Sequence, residues 1–412
     1  MGEYAKDTPK IEESTDKPDW LTSELFHELL KKDFPDFEKV NKFVVKSAVP
    51  AGENFMTLLL RISIEVEMVN GKTTSTSYIL KLKPIAEGMR SLITDWQVFD
   101  KEKTVYLKYI PTFEDFYKKA GQNVKFGPQP LELTQADASE DNIMLEDLSL
   151  KGFSNGKRQL GLDMLHAKAV LKKLAQFHAA SAHYVRELEE FPSIYDQNLV
   201  CTKDLFEEYR QKIGRMLREH LPLYGDVEHL KEKLEKYVQK QLDPYQLKSS
   251  RNPNEFNVLN HGDLWVNNIM FKHNEDGSVE ETYFIDFQMS RYGPPAQDLL
   301  YFLLTSTNLD IKIKHFDSFV AYYHQELIEN LELLGYNGNK PSLRDIHISL
   351  FKHDYWGYTI VTNLLPVFLS DVNVENDPSK EDEVRNAMYG NERYVECMRV
   401  MLPWLENRGA FD

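Results

Sequence analysis

The strongest constraint on the fold is an alternating apolar pattern followed by a tight turn. Between Phe55 and Met68 an apolar side chain recurs at every second position from Leu58 onwards. Because successive side chains of a strand point to opposite faces of a sheet, this pattern predicts a strand with one buried face. Asn70-Gly71 then supplies two residues that tolerate positive φ in a hairpin turn. Thr73 to Lys83, rich in Thr, Tyr and Ile, is expected to return as the antiparallel partner.

Helical periodicity replaces this alternation further along the chain. Ser91 to Tyr109 has helical spacing and is expected to end before Pro111, and Leu165 to Tyr184 is a strongly amphipathic helix that must line a core. The predicted fold class is α+β, with a small antiparallel-β N-terminal lobe that contains one main helix and a larger, mainly helical C-terminal lobe. The expected divisions are a flexible tail over residues 1–19, the N-terminal lobe over 20–146 and the C-terminal lobe over 147–412.

The composition limits the kinds of partner. A chain of 412 residues exceeds the size that one core usually supports. The net charge of −16 argues against nucleic acid, because phosphate backbones bind basic surfaces. Two cysteines cannot build a disulfide framework, residues 1–19 contain no apolar signal sequence, and no run of 18 apolar residues is present. We therefore expect a soluble cytoplasmic protein with no nucleic-acid, membrane or obligate protein partner.

One polar stretch has the spacing of a phosphoryl-transfer site. His261 and Gly262 precede Asp263, Asn268 lies five residues later, and Asp286 lies within the next apolar run. Transfer of a phosphoryl group from ATP needs a carboxylate that accepts the proton of the acceptor hydroxyl. It also needs an amide and a second carboxylate that hold Mg²⁺. We therefore predict that Asp263 is the general base and that Asn268 and Asp286 bind Mg²⁺.

Each of these residues also has a plain structural interpretation. Asp263 would suit an ordinary turn beside Gly262, and the Asn268 amide could stabilise that turn. His261 is expected to hydrogen-bond the loop backbone rather than to act as a base. A zinc site formed by His261 and Asp263 is the competing metal hypothesis, although no further histidines nearby complete it. Asp298, at the start of a predicted helix, is interpreted as a cap or as a brace for a loop.

The predicted hairpin carries candidate nucleotide-binding residues. Lys81 lies late in the returning strand, where it would neutralise the α- and β-phosphates of ATP, and Glu102 in the next helix would hold Lys81 by an ion pair. Lys83 lies on the same face and remains an alternative, although Pro84 directly after it indicates that the strand is ending there. Ile79 shares the face of Lys81 and is expected to pack against adenine.

Two further segments would complete the nucleotide site. The loop from Pro50 to Asn54 joins two predicted strands, and its backbone around Gly52, together with Asn54, could cover the phosphates. This loop matches no glycine-rich fingerprint. The segment from Met144 to Asp147, which includes Glu146, is expected to form the connector between the lobes and to offer backbone hydrogen bonds to adenine. A plain connector is the alternative.

At these residues the chain resembles a known family. The string from His261 to Asn268, followed by Ile285-Asp286-Phe287-Gln288, is similar to the insect ecdysteroid-kinase-like family. That family belongs to the choline kinase and aminoglycoside phosphotransferase branch of the protein-kinase-like fold. Supporting similarities are Gly52-Glu53-Asn54, Tyr78-Ile79-Leu80-Lys81, Phe99 to Tyr106 around Glu102, Leu145-Glu146-Asp147-Leu148 and Leu174-Ala175-Gln176-Phe177-His178.

The resemblance implies a bilobal protein-kinase-like fold, with a core over about residues 141–330, that transfers the γ-phosphate of ATP to a small-molecule hydroxyl. The roles it implies are Asp263 as base, Asn268 and Asp286 as Mg²⁺ ligands, Lys81 and Glu102 as the ion pair, and Glu146 in the connector. The chain departs from eukaryotic protein kinases, because Gln288 stands where glycine would follow Asp-Phe and no Ala-Pro-Glu signal is present. A protein substrate is therefore not expected.

The acceptor is the least constrained part of the interpretation. An ecdysteroid or similar apolar alcohol is preferred, because the C-terminal lobe is rich in aromatic residues such as those from Tyr355 to Tyr358. A choline-, ethanolamine- or aminoglycoside-type kinase is the alternative enzyme, and the acidic net charge would suit its cationic substrate. A non-catalytic kinase-like protein that binds ligands is the alternative of another class.

Overall fold

A computed structural model of the chain describes most of its residues. The described residues are 10–12, 18–48, 57–83, 97–132, 142–196, 203–240, 251–371 and 380–411. Residue contacts divide the chain into two compact units, Met1–Phe99 with Pro128–Phe153 and Asp100–Gly127 with Ser154–Asp412. The boundary expected after residue 146 stays a prediction, and most of the expected tail over residues 1–19 lies outside the described residues.

The described strands of the first unit form one sheet. Its strands are β1 (Lys10–Glu12), β2 (Phe37–Ser47), β3 (Leu58–Met68), β4 (Thr73–Leu82), β5 (Pro130–Leu131) and β6 (Asn142–Glu146). They lie in the order β1-β2-β3-β4-β6-β5, and every pair is antiparallel except β1 with β2. β3 and β4 form the predicted hairpin, with Gly71 at a φ of 76° in its turn.

One face of this sheet covers the core of the first unit. Alternate residues of β3 and β4 pack there against a short 3-10 turn, Ser23–Phe26, and against α1 (His27–Asp33). The buried members of this core are Leu21, Leu25, Phe26, Leu29, Leu30, Phe43, Val45, Leu60, Ile62, Ile64, Val66, Tyr78, Leu80, Leu82 and Met144. Since side chains alternate along β4, Ile79 and Lys81 lie on the opposite face of the sheet.

Most helices of the chain belong to the second unit. The described α-helices after α1 are α2 (Val98–Thr104), α3 (Ile110–Lys119), α4 (Met164–Glu187), α5 (Lys203–His220), α6 (Lys231–Lys240), α7 (Ala296–Ser306), α8 (Leu309–Lys312), α9 (Phe316–Leu333), α10 (Leu343–Lys352), α11 (Asp354–Thr359), α12 (Leu365–Leu369), α13 (Glu381–Tyr389) and α14 (Glu392–Asn407). No helix in the described ranges is long and apolar enough to cross a membrane. The predicted α+β fold class is confirmed.

Short strands of the second unit carry the polar stretch that the sequence singled out. They are β7 (Ser154–Asn155), β8 (Val258–Asn260), β9 (Ile269–His273), β10 (Val279–Phe284) and β11 (Arg291–Gly293). β8 pairs with β11, and β9 lies between β7 and β10. The amphipathic helix predicted over Leu165 to Tyr184 is confirmed as α4, which packs along α9 in the core of this unit.

The helical backbone expected to end before Pro111 continues past it into a further helix. α2 is followed by a π-helical turn, Val105–Tyr109, and then directly by α3, in which Pro111 occupies the first turn. A proline is tolerated there because the N–H that it lacks has no partner within the helix at that position. The prediction was wrong because it took the proline as a stop signal rather than as the start of a new helix. The earlier part of that prediction, residues 91–96, lies outside the described residues.

Asp147 ties β3, β4 and the end of β6 together in the first unit. Its carboxylate accepts hydrogen bonds from the Ser77 hydroxyl (2.6 Å) and the Ser149 backbone N–H (3.0 Å), and it lies 2.8 Å from the Arg61 Nε. Burial alone would raise the pKa of Asp147, but these hydrogen bonds and the Arg61 charge lower it. The ionised carboxylate therefore stabilises the first unit.

We expect Asp147→Ala to lower the free energy of unfolding by about 2–3 kcal/mol, because it leaves the buried donors around it unsatisfied. Glu38→Ala, at an exposed position on β2, is the control and should change it by less than about 0.5 kcal/mol. Denaturant titration measures both. An Asp147→Ala protein as stable as the Glu38→Ala protein would show that the Asp147 contacts contribute nothing.

Candidate active site

The polar stretch forms a loop between two short strands of the second unit. β8 leads into residues 261–265, a 3-10 turn at Val266–Asn268 follows, and β9 begins at Ile269. Both flanking strands are hydrogen-bonded, β8 to β11 and β9 to β10. The loop is therefore fixed at both ends by sheet pairing, and the residues after β10 lead directly to Asp286.

Gly262 allows the loop to lie close to the chain that follows β10. Its φ is 82°, and a Cβ added to it would lie 2.0 Å from the Met289 carbonyl oxygen. Residues with a Cβ rarely adopt such a φ. Two non-bonded atoms also cannot lie that close together unless the backbone moves. The glycine of the His-Gly-Asp string is therefore required by both backbone conformation and space.

A buried carboxylate braces the loop. Asp298 on α7 is fully buried and accepts hydrogen bonds from the backbone N–H groups of His261 (2.6 Å) and Gly262 (2.9 Å). His178 Nε2 donates to Asp298 at 3.2 Å, and His178 Nδ1 accepts from the Tyr323 hydroxyl at 2.7 Å. Burial alone would raise the pKa of Asp298, but the hydrogen bonds lower it, so this carboxyl stays ionised. The interpretation of Asp298 as a loop brace is confirmed.

Both ring nitrogens of His261 are used by the loop and its neighbour. Nε2 donates to the Ile285 carbonyl oxygen at 3.0 Å, and Nδ1 accepts from the Asp263 backbone N–H at 3.3 Å. The ring is buried, with its centroid 4.7 Å from that of Phe287. His261 therefore shapes the loop, as expected, and it has no ring nitrogen left to bind the zinc of the competing hypothesis.

Asp263 and Asn268 are joined by direct hydrogen bonds. The Asn268 Nδ2 donates to the Asp263 carbonyl oxygen at 2.9 Å and to the Asp263 Oδ2 at 3.0 Å. The hydroxyl of Tyr301 on α7 donates to the other carboxylate oxygen, Oδ1. Because both bonds of Asn268 use its amide nitrogen, its amide oxygen is the atom that it can offer to a metal ion.

Asp286 lies near Asn268 in an uncommon backbone conformation. Its φ is 66° and its ψ is 64°, which is the left-handed region. Residues other than glycine seldom adopt this conformation, and those that do cluster at functional sites. The neighbouring Ile285 N–H donates to the Asn268 carbonyl oxygen at 3.0 Å, which places both candidate ligands at one end of the β9–β10 hairpin. The Asp286 N–H donates to the Tyr106 hydroxyl at 3.2 Å, and Gln288 Nε2 donates to its Oδ2 at 3.2 Å.

The donor atoms at this end of the hairpin fit Mg²⁺. An amide oxygen from Asn268 and a carboxylate from Asp286 are hard oxygen ligands, and Mg²⁺ commonly takes one or two such groups and fills its other positions with water and phosphate oxygens. No group of three or more His, Cys, Asp or Glu side chains within the described ranges could hold a metal ion. An ion held by these two protein oxygens would take its other ligands from water and phosphate.

Glu102 lies on α2, one helical turn before the residue that binds the Asp286 backbone. It is 1% exposed on α2, and Tyr106, which binds the Asp286 backbone, follows it by four residues. Four predicted residues, Asp263, Asn268, Asp286 and Glu102, thus belong to the second unit.

The other predicted nucleotide-binding residues belong to the first unit or lie outside the described residues. Lys81 is 4% exposed and lies within β4, between β3 and β6, whereas Lys83 lies beyond the end of β4 with its Nζ 5.4 Å from the Phe99 ring centroid. Gly52 and Asn54 fall outside the described ranges. Their roles, and the ion pair of Lys81 with Glu102, stay predictions.

Met144 and Glu146 lie in β6 and not in a separate connector. The Met144 side chain belongs to the core under the sheet, and its backbone is paired on both sides, with β4 and β5. Glu146 ends the strand, where its carboxylate accepts from the Gln129 N–H (3.1 Å) and pairs with Lys151.

Several residues of the site carry no local sequence signal. Tyr301 follows Asp298 by three residues, so one helical turn brings both to the same face of α7, but periodicity alone does not show that this face meets the loop. Trp265 stacks on Phe368 of α12, with ring centroids 4.0 Å apart and an angle of 11° between the rings. Both rings are half-buried, and Trp265 follows Asp263 by two residues.

Comparing Gly262→Ala with Gly277→Ala separates the cost of a left-handed backbone from the cost of the close approach to Met289. Both glycines have a φ of 82°, but nothing lies within 4 Å of a Cβ at Gly277 in the β9–β10 turn. We expect Gly277→Ala to lower the free energy of unfolding by about 1 kcal/mol, and Gly262→Ala by at least about 3 kcal/mol, since backbone must move. Denaturant titration of the two variants tests this. Equal losses would mean that the loop does not need its contact with Met289.

Comparison with known proteins agrees with the resemblance noted in the sequence. The model of the ecdysteroid kinase-like family matches residues 51–336, more than half of the chain. Among solved structures, the chain is similar to a thermostable mutant of aminoglycoside phosphotransferase APH(4)-Ia in a ternary complex with ADP and hygromycin B, at 12% identity and a TM-score of 0.33, over 90% of this chain and 97% of that chain. No curated protein matches the chain. The chain belongs to the ecdysteroid kinase-like family.

Proposed function

We propose that the protein is a phosphotransferase that uses ATP and Mg²⁺ to phosphorylate a hydroxyl group of a small molecule. The observation that carries this proposal is the arrangement of Asp263, Asn268 and Asp286 at one end of the β9–β10 hairpin. A base, an amide oxygen and a second carboxylate are the groups that phosphoryl transfer requires. Membership of the ecdysteroid kinase-like family supports the same class of reaction.

Asp263 acts as the general base. Its carboxylate accepts the proton of the acceptor hydroxyl while the acceptor oxygen forms a bond to the γ-phosphorus. The bond between that phosphorus and the oxygen that bridges to the β-phosphate breaks, and ADP leaves. The hydrogen bond from Asn268 and the backbone brace from Asp298 hold Asp263 in place before the reaction, so that little reorganisation is needed.

Asn268 and Asp286 hold the metal ion. Bound Mg²⁺ supplies positive charge that neutralises the phosphate oxygens. Tyr106 and Gln288 hold the backbone and the carboxylate of Asp286, and Asp263 holds the nitrogen side of the Asn268 amide. Each ligand is therefore oriented by a second residue, as metal sites generally require.

The nucleotide is assigned to residues of the first unit together with Glu102. Lys81 neutralises the α- and β-phosphates and pairs with Glu102, and Ile79 packs on the adenine. The burial of the Lys81 side chain within the sheet supports this role, because a buried ammonium group is unfavourable unless it meets negative charge. The loop with Gly52 and Asn54 covers the phosphates, and the end of the segment from Met144 to Asp147 offers backbone groups to adenine.

The acceptor is an ecdysteroid or a similar apolar alcohol. The stacked pair of Trp265 and Phe368 forms a flat apolar wall close to the base, and the Tyr301 ring centroid lies 6.4 Å from that of Phe368. The Arg158 guanidinium donates to the Phe368 carbonyl oxygen at 2.5 Å and so fixes one side of the wall. Aromatic walls with a few polar groups suit rigid apolar ligands that carry hydroxyls.

We expect wild-type protein with MgATP to add one phosphoryl group to an alcohol in a panel of ecdysteroids, other apolar alcohols, choline and aminoglycosides, as read by mass shift. Asp263→Asn should lower this transfer by at least about 10²-fold, because the amide cannot accept the proton, and should still bind MgATP. Asp276→Asn, in the exposed β9–β10 turn, is the control and should retain activity.

Two outcomes would contradict the proposal. Undiminished transfer by Asp263→Asn would remove Asp263 as the base. MgATP binding by the wild-type protein without transfer to any member of the panel would favour the non-catalytic ligand-binding alternative.

A further inference from the structure

Tyr301 contacts the proposed base, Asp263, at a carboxylate oxygen that could accept a proton from the acceptor. Its hydroxyl donates a hydrogen bond to the Asp263 Oδ1, and the residue is 9% exposed on α7. The other carboxylate oxygen, Oδ2, already accepts from Asn268 at 3.0 Å. Both oxygens of the base therefore accept a hydrogen bond. Releasing either hydrogen bond of the Asn268 amide nitrogen would move the amide that is proposed to bind Mg²⁺.

The geometry of this contact resembles that of a bound alcohol. A general base must accept a hydrogen bond from the acceptor hydroxyl before it takes the proton. In the structure, an aromatic hydroxyl makes this bond to Oδ1. An acceptor hydroxyl can take this position by replacing the Tyr301 hydroxyl on Oδ1, while Asn268 keeps its place on Oδ2.

The helix that carries Tyr301 is fixed beside the loop. Every residue of α7 is buried, and Asp298, three residues earlier on the same helix, binds the loop backbone directly. The Tyr301 ring is tilted against that of Phe368, whose stacking partner Trp265 follows the base by two residues. An acceptor that packs on this aromatic pair would therefore lie next to Tyr301, whose hydroxyl occupies Oδ1 of Asp263.

We propose that Tyr301 is a placeholder for the acceptor: its hydroxyl occupies Oδ1 of Asp263 while no acceptor is bound and so keeps the base from activating a water molecule. This inference rests on the proposed phosphotransferase function. Without such a group, Asp263 would deprotonate water, the water oxygen would bond to the γ-phosphorus, and ATP would be hydrolysed to ADP and phosphate. Tyr301 makes phosphoryl transfer depend on an alcohol that can displace it.

A purely structural role for Tyr301 predicts a different result. A buried tyrosine hydroxyl commonly needs a hydrogen-bond partner, and Asp263 could serve only as that partner. Loss of the hydroxyl would then lower or leave unchanged every activity of the protein. A placeholder predicts a gain, because its removal gives water access to the base.

The test is ATP hydrolysis by the full chain with Mg²⁺ and no alcohol. We expect Tyr301→Phe to hydrolyse ATP at least about tenfold faster than wild type, which corresponds to about 1.4 kcal/mol in the barrier. The double variant Tyr301→Phe with Asp263→Asn should lose this gain. Tyr224→Phe is the matched control, since Tyr224 is also buried and its hydroxyl donates to the Tyr389 carbonyl oxygen at 3.2 Å. This variant should hydrolyse ATP at the wild-type rate.

Three results would overturn the placeholder role. The first is a folded Tyr301→Phe protein that binds MgATP but shows no gain in hydrolysis. The second is a gain that persists in the double variant, because the water would then be activated elsewhere. The third is a phosphoryl group on Tyr301 of the wild-type protein, found by peptide mass analysis, because Tyr301 would then be an acceptor itself. A wild-type protein that does not bind MgATP would refute the proposed function, and the placeholder role with it.

Discussion

The geometry of the site depends on the hydrogen bonds that the buried Asp298 accepts from the loop backbone. A fully buried carboxylate is unfavourable unless donors compensate for its lost hydration. Here the donors are two consecutive N–H groups, from His261 and Gly262, and the His178 ring. His178 lies on α4 and its partner Tyr323 on α9, which pack together in the core. The position of the loop is therefore set by helices that carry none of the proposed reacting groups.

Each proposed chemical group is oriented by a residue from another element. α7 holds the backbone of the loop through Asp298 and the carboxylate of the base through Tyr301. Asp286, strained in the left-handed region, is held by Tyr106 from the π-helical turn after α2. Such fixed neighbours are what preorganised sites need, because the charge distribution must already suit the transition state. The same arrangement is the basis of our proposal that the Tyr301 hydroxyl controls access to the base.

The sequence alone was sufficient for the parts of the site that are close together along the chain. The β3–β4 hairpin follows from alternation and Asn70-Gly71, and the loop from His261 to Asn268 follows from the spacing of its polar residues. The bracing role of Asp298 followed from its place at the start of a helix. Tyr106, Tyr301 and Phe368 could not be found in this way, because their contacts depend on how helices pack, which local spacing does not encode. Pro111 was misinterpreted for a related reason, since a proline ends one helix or begins another depending on the preceding turn.

We propose that the loop from His261 to Asn268 and the end of the β9–β10 hairpin bind Mg²⁺ together with the phosphates of ATP. Calorimetric titration with ATP, with and without Mg²⁺, tests it most directly when wild type is compared with Asp286→Ala. We expect Mg²⁺ to increase the affinity of the wild-type protein for ATP at least about tenfold, or about 1.4 kcal/mol, and this increase to disappear in Asp286→Ala. An ATP affinity that does not depend on Mg²⁺, or a Mg²⁺ effect that persists without the Asp286 carboxylate, would contradict the claim.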